Sequence, residues 1–371
     1  MKVLLLSDTY SEHTEKWALG LANKGIKVGL FSFNKASYEW YDHPNITLYF
    51  EPEQKINAES TLTKLSYFKY VSVLKKIIKH FEPDILHAHY ATSYGIVGAL
   101  AGFHPFILSV WGSDVYDFPQ RSKVHRRLFQ YNLRKADRIL STSQIMREEV
   151  LKYTKKEVFV TPFGVDTSVF KAEQAIGKDN DKIYIGTIKP IEDKYGISHI
   201  IQAAKILVVE KGITNLQFLL IGPSNEAAKY EAQINDAGLL PYVTLTGRVP
   251  FNEITRYHNL LDVFLNVSID DSESFGVAAV EAMACEKPVI ISDVGGLMEV
   301  AGHGAFAKVV PRANAQALAD TIIDLLSNRD EAREMALAAR NHVLRNYDWS
   351  HNLELMIGHY KAILNDESDN R

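Results

Sequence analysis

The sequence contains a single cysteine, Cys285, among its 371 residues. One thiol excludes an internal disulfide framework and any zinc site built on cysteines. Long apolar runs are also missing, since the stretch 94–103 is about half as long as a membrane-spanning helix requires. Residues 1–7 are too short for the apolar part of a signal peptide. We therefore expect a chain that folds and stays in the cytoplasm.

Neither sign of charge is in large excess, because the sequence has 41 Lys and Arg and 45 Asp and Glu. Residues 1–170 carry 22 basic against 17 acidic side chains, whereas residues 171–371 carry 19 against 28. Neither half is basic enough to predict binding to nucleic acid. The basic first half and the acidic second half instead indicate a different partner for each.

A glycine-rich dinucleotide fingerprint is missing after the first predicted strand, residues 2–7. Because G-x-G-x-x-G at that position binds the pyrophosphate of NAD, its absence disfavours a dinucleotide-binding dehydrogenase. The order of strand, loop, helix and strand is nevertheless that of an α/β protein with a parallel sheet. A length of 371 residues predicts two such domains, and the non-periodic segment 167–181 is the predicted linker.

One stretch, 270–284, joins a polar loop to the start of a predicted helix. It follows the apolar run 262–267 and precedes a second strand that begins after Pro288. Such a unit in a parallel sheet has a right-handed crossover, and its first loop lies at the carboxyl end of the first strand. Open α/β sheets bind their ligands at that edge.

Two carboxylates flank the beginning of this helix, Glu273 on the loop and Glu281 about a turn into the helix. Ionised carboxylates accept hydrogen bonds from neighbouring sugar hydroxyls. The amides of 276–278 are unpaired donors at a helix start, which suits a phosphate. We interpret the stretch as a site for a sugar joined to a nucleotide by a diphosphate. A capping loop with solvated glutamates is the alternative.

The stretch resembles the donor-site motif of the retaining, family-4 glycosyltransferases of GT-B fold. The shared pattern is Glu, seven residues and Glu, with Ser-Phe-Gly after the first, Ala-Met-Ala after the second, and Lys-Pro-Val-Ile-Ile-Ser-Asp-Val-Gly-Gly at 287–296. The resemblance implies two Rossmann-like domains that face each other across a cleft. It places acceptor binding at 1–168, donor binding at 178–348, and in 349–371 a last helix that crosses back to the first domain.

The same resemblance assigns further donor contacts. The family binds the donor diphosphate with two cations, and Lys189 and Lys194 stand at those positions. Lys189 replaces the usual arginine, and a lysine lacks the two-pronged contact that a guanidinium makes. Solvated loop lysines are the alternative interpretation. The other donor residues implied are Ser274, Phe275, Gly276, Val277, Gly222, Arg248 and Val249.

Acceptor contacts are implied in the first domain, at Ser11, His13, His89 and Trp111. Many family members have a histidine where this chain has Trp111, so no catalytic histidine can be carried over. The indole either stacks on a sugar or ends a strand as a buried aromatic. We expect Asp114 to supply the polar role near the reacting centre. His87 and His89 share a strand face, which raises the alternative of a metal, although buried or site-facing histidines are favoured.

A predicted helix at 61–81 carries lysines and aromatic residues but no acidic side chain. A basic amphipathic helix can lie on an anionic membrane surface, which would suit a lipid-linked acceptor. An ordinary helix that packs on the sheet and exposes its lysines is the favoured interpretation. Peripheral attachment to the inner face of the membrane is therefore the second expectation for location.

The residues and this resemblance together lead us to expect a glycosyltransferase that moves a sugar from a nucleotide diphosphate to a hydroxyl of a glycan or lipid-linked acceptor, with Glu273 on the sugar and Glu281 on the ribose. The resemblance implies retention of configuration, and UDP is favoured over GDP as the nucleotide. Synthesis of a cell-surface polysaccharide is the family-level expectation. Neither a metal nor a cofactor is expected, since Lys189, Lys194 and the helix-start amides can stabilise the leaving diphosphate. The alternatives are a sugar-nucleotide epimerase of the same fold and a non-catalytic sugar-nucleotide binding protein.

Overall fold

The computed structural model describes residues 1–34, 39–50, 63–271 and 273–368. The chain divides into two compact units, the first formed by Met1–Pro162 with Asn352–Arg371 and the second by Phe163–His351. The segment predicted as a linker, 167–181, lies inside the second unit. There the hydroxyl of Thr167 donates a hydrogen bond to the carboxylate of Asp348.

The first unit is a parallel sheet with helices on its faces. Its strands are β1 (Lys2–Leu6), β2 (Lys27–Ser32), β3 (Ile46–Phe50), β4 (Ile85–His89), β5 (Phe106–Val110), β6 (Arg138–Ser141) and β7 (Val158–Val160). Its helices are α1 (Glu12–Asn23), α2 (Thr63–Phe81), α3 (Ser93–Ala101), α4 (Ser113–Tyr116), α5 (Lys123–Lys135) and α6 (Gln144–Leu151), and most of α14 (Trp349–Ser368) belongs to the same unit.

The seven strands pair in the order β3-β2-β1-β4-β5-β6-β7, and every pairing is parallel. Val3, Leu4, Leu5 and Leu6 of β1 are all fully buried, as expected for a central strand covered on both faces. The strand order reverses between β1 and β4. Loops that leave the carboxyl ends of those two strands therefore flank the position where open sheets bind ligands.

The second unit repeats this plan. Its strands are β8 (Ile183–Ile188), β9 (Leu216–Ile221), β10 (Val243–Gly247), β11 (Val263–Asn266), β12 (Val289–Ser292) and β13 (Lys308–Val310). Its helices are α7 (Ile197–Lys205), α8 (Ala227–Asp236), α9 (Phe251–Leu260), α10 (Val277–Ala284), α11 (Gly295–Val300), α12 (Ala315–Ser327) and α13 (Arg329–Asn346). The strands pair in parallel in the order β10-β9-β8-β11-β12-β13, so the order reverses between β8 and β11.

Local geometry defines the ends of two helices. Helix α7 is α-helical from Ile197 to Lys205, and the chain continues as the π-helical turn Ile206–Glu210. Ser143 is the N-cap of α6, since its hydroxyl accepts a hydrogen bond from the Met146 amide at 3.2 Å. A capping bond of this type contributes about 1 kcal/mol.

The lysine-rich helix predicted at 61–81 is α2, and residues 61 and 62 lie outside the described part of the chain. Tyr70, Leu74 and Ile77 are buried in the core of the first unit. Lysines at 69, 75, 76 and 79 are exposed. The apolar face of α2 is therefore occupied by the protein itself, which is the packed-helix interpretation. No described helix is long and apolar enough to cross a membrane.

Helix α14 is joined to the sheet of the first unit through a buried polar contact. The hydroxyl of Tyr360 lies 2.7 Å from Nδ1 of His87 on β4. The other ring nitrogen, Nε2, lies 2.7 Å from the hydroxyl of Ser109 on β5. Tyr360 and His87 are both fully buried, so each of these hydrogen bonds satisfies a group that has no access to water.

Substitution Tyr360→Phe should destabilise the first unit by about 1–3 kcal/mol, because it leaves Nδ1 of His87 buried without a partner. Hydrogen exchange of the β4 and β5 amides measures this change. Tyr257→Phe is the matched control, since the Tyr257 hydroxyl makes no hydrogen bond within the described residues. Equal hydrogen-exchange protection of these amides in Tyr360→Phe and in the control would show that the Tyr360–His87 hydrogen bond does not stabilise the first unit.

Candidate functional site

The carboxyl ends of β8 and β11 bring the predicted donor residues together at the point where the strand order of the second sheet reverses. Lys189 follows β8 directly, and Glu273 lies on the loop after β11. Their side chains form an ion pair between Nζ and Oε2. Only 9% of the Lys189 side chain and 12% of the Glu273 side chain are exposed. Two residues 84 positions apart thus share one nearly buried contact.

Ser268 and Tyr195 complete the surroundings of this ion pair. The hydroxyl of Ser268 donates to Oε2 of Glu273 at 3.2 Å. The ammonium of Lys189 lies 4.5 Å from the centre of the Tyr195 ring, a cation–π distance. Glu273 therefore has two donors and Lys189 has both a carboxylate and an aromatic face. Within the described part of the chain the other carboxylate oxygen has no partner, so its lone pairs can accept from hydroxyls.

The loops after β8 and β11 are joined through their backbones. The amide of Ile269 donates to the carbonyl of Lys194 at 2.8 Å. Gly196 has a φ of 75°, and a Cβ at this position would collide with the carbonyl oxygen of Val267. Only glycine combines that left-handed conformation with so close an approach. The position of Glu273 relative to Lys189 is therefore determined by main-chain contacts as well as by the ion pair.

Lys194, the second predicted phosphate cation, lies on the short 3₁₀ turn Asp193–Tyr195 and is half exposed. Its ammonium lies 3.0 Å from a carboxylate oxygen of Glu192 and 4.9 Å from the centre of the Tyr195 ring. Burial is the largest single effect and lowers the pKa of Lys194, but the hydrogen bonds and charges of Glu192 and Tyr195 together outweigh it, so the pKa is raised. Lys194 thus remains a cation, held by the carboxylate of Glu192 and by the Tyr195 side chain.

Gly222 and the turn after β10 lie next to Lys189. Gly222 has a φ of 149°, and a Cβ there would collide with the carbonyl oxygen of Lys189. Its amide donates to the carbonyl of Gly247 at 3.0 Å. Arg248 directly follows and is exposed, while Val249 is half-buried. The structure brings this predicted base-binding turn to the same edge of the sheet as the ion pair, and its contact with a ligand stays a prediction.

Helix α10 begins at this edge with Gly276 as its N-cap. Gly276 has a φ of 79°, and a Cβ would collide with Cδ2 of Leu297. The amides of Gly276, Val277 and Ala278 have no partner within the helix, as in the first turn of any helix, and no described group accepts from them. They form, with the positive end of the helix dipole, a site suited to an anion.

The side chains of Ser274 and Phe275 are both buried, and their contact with a donor stays a prediction. Phe275 is 2% exposed, and its ring packs edge-on against Phe163 at 6.0 Å and Tyr347 at 5.3 Å. Its side chain therefore belongs to the core and can offer a ligand only its backbone. Ser274 is 7% exposed. A Cβ on Gly296 would collide with the backbone oxygens of Glu273 and Ser274, so this glycine lets α11 support the loop.

Glu281 lies one turn into α10, and 12% of its side chain is exposed. Nε2 of His258 on α9 lies 3.4 Å from its Oε2. Within the described residues no other side chain bonds to this carboxylate. Glu281 is therefore held by one oxygen, and its other oxygen remains available as an acceptor.

Arg312 holds the loop that precedes Glu273. Its guanidinium donates to a carboxylate oxygen of Asp271 at 2.7 Å and to the carbonyl oxygen of Asp293 at 3.0 Å. The Arg312 amide also donates to the Asp293 carboxylate at 3.0 Å. These bonds connect the loop after β11 with the ends of β12 and β13. Neither Arg312 nor Ser268 belongs to the motif, so neither was predicted.

The predicted acceptor residues lie at the carboxyl ends of β1, β4 and β5 in the first unit. The rings of His13 and His89 lie 5.8 and 4.5 Å from that of Trp111. Nδ1 of His89 lies 3.0 Å from the hydroxyl of Ser7. The carbonyl of Ser11 accepts from the Thr14 amide, so Ser11 is the N-cap of α1. The structure thus groups His13, His89 and Trp111, and their contact with an acceptor stays a prediction.

Asp114 is fully buried and is bonded to the backbone of two loops. Its Oδ2 accepts from the Ala91 amide at 2.7 Å, and its Oδ1 accepts from the amides of Gly112 and Trp111 at 2.8 and 3.1 Å. Burial raises the pKa of Asp114 in spite of these bonds. The geometry supports an anchoring role that holds Trp111 in place, and a role of Asp114 near the reacting centre is an untested prediction.

Four histidines of the first unit have lowered pKa values. Burial, reinforced by Arg138, lowers the pKa of His359 to about 4. Burial, reinforced by Lys16, lowers the pKa of His13 to about 4. Burial and the neighbouring His359 lower the pKa of His87 to about 3. Burial, with His87 and His13 nearby, places the pKa of His89 well below its usual value. Among the described residues no group of three His, Cys, Asp or Glu side chains could hold a metal ion.

Two family models match this chain. Residues 2–143 match the model described as glycosyl transferase 4-like, and residues 168–342 match glycosyl transferases group 1. Together the two models cover both units and include every residue of the donor site. The chain belongs to the group 1 glycosyltransferases, and it is an enzyme of that class.

Relatives of this group 1 glycosyltransferase come from distant organisms. The chain is 28% identical over 340 residues to an uncharacterized glycosyltransferase, MJ1178, of Methanocaldococcus jannaschii, covering 89% of this chain and 90% of the relative. It is also 28% identical to the amylovoran biosynthesis glycosyltransferase AmsK of Erwinia amylovora, over 71% of this chain and 67% of the relative. Both matches agree with the family assignment.

Solved structures confirm the predicted GT-B fold of this glycosyltransferase. Sucrose-phosphate synthase from Thermosynechococcus elongatus superposes with a TM-score of 0.84 at 20% identity, over 99% of this chain and all of that chain. Anabaena Alr3699/HepE in complex with UDP-glucose superposes with a TM-score of 0.76 at 18% identity, over 98% of this chain and all of that chain. At these identities the likeness shows the fold alone.

The stability of the first unit should fall as the pH is lowered from about 6.5 towards 4. Histidines with a low pKa in the folded state bind protons more readily when unfolded, so acid favours unfolding. Each fully shifted histidine contributes about 1.4 kcal/mol per pH unit in this window. Hydrogen exchange of β1, β4 and β5 amides at pH 7.5 and 5.5, corrected for intrinsic rates, measures the loss. The same protection free energy at both pH values would contradict the assignment of neutral, buried histidines.

Proposed function

We propose that this glycosyltransferase transfers a sugar from a UDP-sugar to a hydroxyl of a glycan or lipid-linked acceptor, with retention of anomeric configuration. The observation that carries the proposal is the Lys189–Glu273 ion pair at the carboxyl ends of β8 and β11, adjacent to the free amides that begin α10. One site then offers cationic and amide donors for a diphosphate and a carboxylate for sugar hydroxyls.

The leaving group is the chemical difficulty in this reaction, and the site is built to stabilise it. When the bond between the anomeric carbon and the diphosphate oxygen breaks, the diphosphate takes the electron pair and gains negative charge. Lys189, Lys194 and the amides of 276–278 can receive that charge, which is the type of preorganised stabilisation that dominates such catalysis. The acceptor oxygen forms the new bond to the anomeric carbon, and its proton leaves with the departing diphosphate. Neither metal nor cofactor enters this scheme.

The sugar is assigned to Glu273. Its carboxylate is fixed by Lys189 and by the Ser268 hydroxyl, 3.2 Å from Oε2, so it can accept from sugar hydroxyls without reorienting. Glu281 is assigned to the ribose, since it lies on α10, eight residues after Glu273, and has one carboxylate oxygen available. The base is assigned to the turn at Gly222, Arg248 and Val249.

The choice of UDP and of a polysaccharide acceptor draws on the similar proteins. Anabaena Alr3699/HepE, which shares the fold, was solved with UDP-glucose. AmsK, 28% identical, acts in amylovoran biosynthesis. These names support a UDP-sugar donor and an acceptor from cell-surface polysaccharide synthesis. The exposed lysines of α2 extend the proposal to contact with an anionic membrane surface. The epimerase and binding-protein alternatives gain no support from the family models.

Lys189→Met should weaken UDP binding about tenfold or more while leaving the binding of uridine unchanged, because the lysine faces the diphosphate and not the nucleoside. Titration calorimetry with UDP and uridine measures both affinities. Lys205→Met, an exposed lysine on α7, is the matched control and should bind both like the original protein. An equal loss for UDP and uridine would contradict the assignment of Lys189.

Glu273→Gln should reduce turnover by at least about a hundredfold and leave UDP affinity within about threefold, since the carboxylate is assigned to the sugar and to the transition state rather than to the nucleotide. Thermal stabilisation by a panel of UDP- and GDP-sugars first selects the donor. Release of UDP from that donor then measures turnover. Retained activity in Glu273→Gln would refute the proposed site, and stabilisation by GDP-sugars alone would refute the choice of UDP.

A further inference from the structure

His258 is a fully buried histidine on α9 that no motif includes. Its ring lies between two aromatic residues, with Phe264 at 5.2 Å and Phe170 at 6.0 Å between ring centres. Nε2 lies 3.4 Å from Oε2 of Glu281, and Nδ1 is buried without a partner in the described residues. Among the residues that the structure describes, the ring thus has one polar contact, with the candidate ribose carboxylate.

The direction of this hydrogen bond follows from the chemistry of the two groups. A carboxylate only accepts, so Nε2 must carry the proton that it donates. Phe264 and Phe170 restrict the ring, and a buried polar group with a single available partner has no competing arrangement. His258 therefore holds Oε2 of Glu281. Because the carboxylate is planar, this contact also restricts the position of Oε1, which stays available as an acceptor.

We propose that His258 is the positioning residue that presents the Glu281 carboxylate to the ribose hydroxyls of the donor nucleotide. The inference rests on the proposed function, because it assumes a nucleotide donor in the second unit. Without the hydrogen bond from His258, the Glu281 side chain would sample several rotamers. Ordering it when the nucleotide binds would then reduce the affinity. His258 thus determines how strongly the enzyme distinguishes a ribonucleotide from one that lacks the ribose hydroxyls.

The test compares UDP with 2′,3′-dideoxy-UDP, which keeps the base and the diphosphate but offers Glu281 no hydroxyl. The original protein should bind UDP at least about tenfold more tightly than the dideoxy analogue. His258→Phe should lose about three- to tenfold in UDP affinity, the size of one hydrogen bond, and bind the analogue within about twofold of the original protein. Titration calorimetry measures all four affinities.

His258→Gln supplies the matched control, because the glutamine amide nitrogen reaches about the position of Nε2 and can donate to the same oxygen. This variant should recover most of the discrimination between the two nucleotides. Circular dichroism and the melting temperature establish that both variants are folded. Should His258→Phe not fold, His258→Gln and Glu281→Gln together still test the idea, since only Glu281→Gln should abolish the preference for UDP.

Three results would overturn the inference. Unchanged UDP affinity in His258→Phe shows that Glu281 needs no partner. An equal loss for UDP and the dideoxy analogue shows that His258 acts through general packing. Failure of His258→Gln to recover discrimination shows that the hydrogen bond is not the cause. If the original protein binds no UDP at all, the proposed function fails first, and that outcome is distinguishable from the other three.

Discussion

The ion pair between Lys189 and Glu273 is the interaction on which the donor site depends. Both side chains are almost excluded from solvent, and removing one partner of such a pair costs about 3–5 kcal/mol because the other charge is left buried. A ligand that draws Lys189 towards itself must therefore compensate Glu273 as well. In the proposed function a nucleotide diphosphate sugar would do both, with its phosphates on the lysine and its hydroxyls on the carboxylate. The pair would then favour the complete donor over either half.

Main-chain contacts hold that pair in place. The carbonyl of Lys194 accepts from the Ile269 amide, Gly196 lies against Val267, and Gly296 lies against the backbone of the loop that carries Glu273. The two close approaches require glycine, and the hydrogen bond requires a backbone amide from the neighbouring loop. The reversal of strand order between β8 and β11 places these two loops side by side. The relative position of the two loops of the candidate site is therefore determined by the sheet topology and by main-chain contacts.

The sequence was sufficient for the fold class and for the local motif, but not for the partners of its residues. The strand, loop and helix around Glu273 are consecutive in the chain, so periodicity and the Ser-Phe-Gly string identified them. Ser268 and His258 reach the site from separate elements, and only the folded sheet shows that they contact Glu273 and Glu281. The partners of Asp114 were also beyond the sequence: its carboxylate accepts from three backbone amides of two loops, and only the folded sheet brings these loops together.

The central claim is that the donor diphosphate lies between Lys189 and the start of α10. A crystal structure with UDP bound tests it most directly. The account predicts phosphate oxygens within hydrogen-bond distance of the amides at 276–278 and of Nζ of Lys189, with the ribose beside Glu281. A nucleotide bound elsewhere, with the ion pair between Lys189 and Glu273 undisturbed and the α10 amides without a ligand, would contradict it.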